Sequence, residues 1–81
     1  MPSRTAERLR HIRDAIATIQ EFIRGRNFSD YSRDRMLRDA VERNVERLSE
    51  AVRHLPAELT ARRPDIPWRQ IADIGNVLRH E

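Results

Sequence analysis

Two residues near the end of this 81-residue chain, Asn76 and His80, stand four positions apart. On a helix that spacing puts them one turn apart on the same face. A histidine titrates near neutrality, so it can take or give a proton, and a neighbouring amide can orient the imidazole or hold a phosphate oxygen. At 100° per residue, Arg69 and Asp73 join Asn76 and His80 in a sector of about 60°, with Ile71, Ile74 and Leu78 opposite. An ordinary solvated polar face is the simpler account of that spacing taken by itself. Elsewhere, Asn44 interrupts an apolar stripe and is expected to hydrogen-bond a neighbouring helix. His11 and His54 lie among charges and read as surface histidines, and no two histidines have metal-ligand spacing. Glycine-rich phosphate loops, nucleophile triads and paired carboxylates are absent from the sequence.

The elements that must carry these residues are helical throughout, since apolar residues recur at steps of three and four and nowhere alternate. Leu9, Ile12, Ile16, Ile19 and Ile23 form one stripe on a helix over about residues 4–24. Gly25 supplies a left-handed stop, and Asn27-Phe28-Ser29 reads as a short connection. The second helix is expected from about 30–33 to 55, striped by Leu37, Val41, Val45, Leu48, Val52 and Leu55. Asp34/Arg38, Asp39/Arg43 and Glu50/His54 are spaced to pair on its outer face. Pro56 suits the first position of a short turn over 57–62, and a last helix starts at Pro67. Three main helices plus a helical turn predict an all-α, small antiparallel bundle, with residues 1–81 as a single domain.

Composition agrees with a globular protein: 38% of residues are hydrophobic and 36% charged, and no apolar run is long enough for a membrane span. Cysteine is absent, which excludes disulfides and thiolate metal sites and fits a cytoplasmic address. All 16 basic side chains are arginine. The net charge of +3 arises within residues 1–27, where six arginines face Glu7, Asp14 and Glu21. Arginine grips phosphate well, so nucleic acid is one partner this bias allows; a biased composition on solvated helix faces is the other account.

Three stretches together resemble the HepT-like branch of the HEPN ribonuclease toxins. They are Arg8-Leu9-Arg10-His11-Ile12-Arg13-Asp14-Ala15-Ile16, then Asp39-Ala40-Val41-Glu42-Arg43-Asn44-Val45-Glu46, then Ile66-Pro67-Trp68-Arg69-Gln70-Ile71-Ala72 leading to Gly75-Asn76-Val77-Leu78-Arg79-His80. The resemblance covers essentially the whole chain. It implies a dimerising helical toxin that cuts RNA without metal or other cofactor, partnered by an MntA-like nucleotidyltransferase antitoxin. The family motif is an arginine followed by a polar residue, then a histidine, then a tyrosine two residues further on. Asn76 matches the polar residue and His80 the histidine, whereas Gly75 stands at the arginine position. The tyrosine, which the antitoxin adenylylates, and a further helix would lie past Glu81, so the domain is read as lacking the family's C-terminal helix.

The resemblance implies His80 as the base, Asn76 as its polar neighbour and, in place of the motif arginine, Arg79. Arg79 lies one turn from Gly75 and about 40° around the helix, near enough to carry charge on the phosphoryl oxygens. An arginine at position 75 is then expected to increase cleavage, and to raise helix propensity as well. The other class of function is a non-catalytic helical module that pairs with itself or with the antitoxin.

Overall fold

A computed structural model describes residues 4–79, with Arg79 described by its backbone only. The helices are α1 (Arg4–Ile23), α2 (Phe28–Arg33), α3 (Arg35–Arg53), α4 (Ala57–Thr60) and α5 (Trp68–Arg79). The described residues contain no strand, so the fold is the all-α bundle that the periodicity implies. Gly25 ends the first helix with φ of +72°, a backbone state that glycine adopts without steric cost.

The second helix departs from expectation, because Asn27-Phe28-Ser29 opens a helix of its own. Asn27 Oδ1 accepts from Asp30 N at 2.8 Å, and Asp30 Oδ2 accepts from Asn27 N at 3.1 Å. This reciprocal pair satisfies two amides that a helix start otherwise leaves open. Asp34 then stops α2 and starts α3: its backbone is extended, and its Oδ1 accepts from Leu37 N at 3.0 Å. That bond, followed by the hydrogen bond and charge of Arg26, holds the Asp34 carboxyl below the usual carboxylate range. Asp34 therefore pairs with Arg26 at 3.2 Å instead of Arg38, and Asp39 with Arg35 at 3.9 Å instead of Arg43; Glu50 and His54 do meet, at 2.9 Å. The helix also ends at Arg53, two residues short of the expected boundary.

Pro56 is the extended residue before α4, one place earlier than its expected position inside the turn. Trp68 fixes the start of α5. Its indole Nε1 donates to both Thr60 O and Arg63 O at 3.0 Å, tying the helix to the turn before it.

The core belongs mostly to α3. Leu37, Val41, Ala51 and Val52 are buried there, against Ala15 of α1. Both α1 and α5 pack on α3, yet they make almost no contact with each other. A cleft of about 670 Å³ is left between them.

Candidate functional site

The crossing of α3 with α5 is set by two small residues. Ser49, 1% exposed, donates from Oγ to Ala72 O at 2.8 Å and accepts from Gly75 N at 3.1 Å. Gly75 is buried against it. A Cβ on Gly75 would stand 2.6 Å from Ser49 Oγ, closer than a carbon tolerates, and 3.0 Å from Ser49 Cβ, a tight contact. Glycine is thus required here by close approach. The expectation that arginine at 75 restores charge and helix propensity is corrected by this packing, because any side chain there meets Ser49 first.

The crossing also turns α5. The helical wheel pointed Ile71, Ile74 and Leu78 at the core, whereas the packed face is Ile71, Ala72, Gly75 and Leu78, roughly 60° further round. Ile74 and Val77 face outward instead, 43% and 59% exposed. The polar face survives this turn, with Arg69, Asp73 and Asn76 all exposed. Asn76 Oδ1 accepts from Arg53 Nη1 of α3 at 3.3 Å. Arg79 closes α5, and His80, the candidate base, lies outside the described residues.

Reading the sequence did not single out Arg53. The same nitrogen lies 3.9 Å from Glu50 Oε2, and Glu50 Oε1 meets His54 Nε2 at 2.9 Å. Ser49 and Arg53 are four apart, hence neighbours on one face of α3. One seats Gly75 and the other reaches the next residue, Asn76. A cation one turn beyond a buried serine was the available signal, but it acquires meaning only once the helix pairing is known.

The cleft gathers residues from all three main helices: Arg8 and His11 from α1, Asn44 and Arg47 from α3, and Gly75 from α5. His11, read as a surface histidine, is indeed exposed, but it sits in the wall of this cleft. Asn44 is 8% exposed, and its Nδ2 donates to Ala40 O at 2.9 Å, within its own helix. The expected bond to a neighbouring helix is replaced by this one, since four residues back along a helix lies a carbonyl within easy reach. Acidic side chains in the cleft are engaged: Glu46 with Arg43 at 3.9 Å, and Asp14 with Arg13 at 3.7 Å. Among the described residues, no three His, Cys, Asp or Glu side chains come together as a metal site would need. No helix there is long and apolar enough to cross a membrane.

Comparison with known proteins adds a family. The family described as "Ribonuclease HepT-like" matches residues 12–81. The chain is 36% identical over 72 residues to the "Probable ribonuclease HepT" of Thermococcus cleftensis, covering 89% of this chain and 66% of that protein. It is 34% identical over 73 residues to the "Putative RNase TTE0752" of Caldanaerobacter subterraneus, covering 90% of this chain and 65% of that protein. With the "Gamma-glutamylcyclotransferase and putative RNase MJ0434" of Methanocaldococcus jannaschii it shares 33% over 70 residues, 86% of this chain but 32% of that protein. The chain thus spans a third to just under two-thirds of the length of these relatives. No solved structure matches it.

Proposed function

The chain belongs to the HepT-like ribonuclease family, and from that premise we propose that it is a metal-independent endoribonuclease of the HEPN class. Its role is that of the toxin in a type II-like toxin–antitoxin pair. It acts as a cytoplasmic homodimer, and an MntA-like nucleotidyltransferase antitoxin is its partner. The observation that carries this is the family match over residues 12–81, a range that includes Asn76, Arg79 and His80.

In this reading His80 takes the proton from an RNA 2′-hydroxyl, the 2′-oxygen attacks the adjacent phosphorus, and the bond to the 5′-oxygen breaks. The products are a 2′,3′-cyclic phosphate and a 5′-hydroxyl, the departing oxygen being protonated as it leaves. An imidazole suits such a transfer because its pKa lies near the working pH. Asn76, four residues before His80 in the sequence, orients it or holds a phosphate oxygen, and Arg79 is the cation next to it in the chain.

The alternative reading, a non-catalytic helical module, draws support from Gly75. It is a buried packing residue where the family motif carries arginine. The two readings part in one experiment: single-turnover cleavage of a mixed-sequence RNA in the presence of EDTA, wild type against His80→Ala. We expect cleavage by the wild type and a loss of at least about 100-fold in the variant, the usual scale for a removed proton-transfer group. Equal traces for the two proteins would favour the non-catalytic module.

A further inference from the structure

We infer that Arg53 of α3 is a second phosphate-holding cation of this site, added to Arg79 from the neighbouring helix. The inference rests on the ribonuclease reading and deepens it. Attack of the 2′-oxygen places negative charge on the non-bridging phosphoryl oxygens, and a fixed cation aimed at them lowers the barrier. Position 75 cannot offer one, because Ser49 occupies the space that a side chain would enter. Arg69 shares the polar face of α5 but lies two turns, roughly 10 Å, before Asn76.

Arg53 has the geometry required. Its Nη1 is 3.3 Å from Asn76 Oδ1 and 3.9 Å from Glu50 Oε2, so one edge of the guanidinium is anchored. Its Nε and Nη2 make no hydrogen bond among the described residues, which leaves two donors on the other edge for the paired oxygens of a phosphate. The side chain is 42% exposed, open enough for a ligand to reach. Glu50, the acid facing it, is shared with His54. The close Ser49–Gly75 crossing brings the two helices near enough for the contact to exist.

The test compares wild type, Arg53→Ala and Arg53→Lys, with Arg62→Ala as a control on an exposed arginine away from the crossing. Single-turnover RNA cleavage, RNA affinity over a range of salt concentrations and urea unfolding are measured on each. We expect Arg53→Ala to cut about 10²–10³-fold more slowly, with partial recovery on adding millimolar guanidinium. The salt slope of RNA binding should fall by about one phosphate contact, and Arg53→Lys should fall between. Arg62→Ala should match wild type in rate. A wild-type rate and salt slope in Arg53→Ala overturn the inference while leaving the ribonuclease reading intact. So does a slower rate that guanidinium cannot restore, accompanied by a lower unfolding midpoint, which marks a helix tie only. If wild type cuts nothing but Arg53→Ala still loses a phosphate contact, the cleavage reading fails and Arg53 keeps its ligand. If binding is unchanged as well, both fall.

Discussion

Gly75 shows how a residue's meaning depends on what it faces. By propensity, a glycine inside a helix costs about 1 kcal/mol against alanine, so alanine there looks like an improvement. Against Ser49 the sign reverses. We expect Gly75→Ala to lower stability by about 1–3 kcal/mol, the usual scale for overpacking, and Gly75→Arg to lower it further without increasing cleavage. Replacing Ser49 with glycine removes both atoms that the new Cβ meets. The double variant Ser49→Gly/Gly75→Ala should accordingly recover part of the loss, with a coupling of about 0.5–3 kcal/mol in urea unfolding. A higher midpoint in Gly75→Ala alone would refute the close crossing. The sequence held a trace of this, since Ser49 falls between Val45 and Val52 on the apolar stripe. A single polar residue there also reads as a tolerated exception, and only its partner on α5 distinguishes the two. Asn44 was legible as buried, although its bond runs within its own helix.

At the scale of elements, α1 was readable almost to the residue because Gly25 is an unambiguous stop. The join of α2 and α3 was not, since Asp34 occurs in a run of charged residues that suits an unbroken helix face. What breaks the helix is the Asp34 carboxylate accepting from Leu37 N, in competition with continued helical backbone. The arrangement has a pH dependence. The folded state holds the Asp34 carboxyl below its value in the unfolded chain, first through the Leu37 amide and then through Arg26. Asp65 is lowered likewise, chiefly by its hydrogen bonds from Arg63. The unfolded state then binds more protons, so stability present above about pH 4 is lost as the pH falls through the folded values. We expect the thermal midpoint to decline on acidification below about pH 4, and the decline to shrink in Asp34→Asn, which keeps the cap but not the charge. An identical acid limb in the variant would show that Asp34 does not contribute. The packed face of α5 lies about a sixth of a turn from its large apolar residues, because the small ones make the crossing.

For the molecule as a whole, the bundle leaves much apolar surface uncovered. Leu9, Ile16 and Ile23 of α1 are 42%, 41% and 42% exposed, Val77 59%, and Phe28 and Met36 79% and 83%. Exposed apolar surface on this scale is ordinarily covered in solution, and a second copy is the simplest cover. Sedimentation equilibrium at micromolar concentration should give twice the 9.6 kDa chain mass, and Ile16→Asp should shift it toward the monomer. A clean monomer for the wild-type protein would refute the dimer. The same architecture has a consequence for motion. Since α1 and α5 each hold α3 without holding each other, either can lift away and leave the other's contacts in place. In the language of amide exchange they are two separate opening units around one slow-exchanging strut, each with its own opening free energy. Any ligand lying across the cleft from Arg8 and His11 to Gly75 would fasten the two units into one. Binding would then slow exchange in both flanking helices together, communicated through the ligand and not through the protein's own packing.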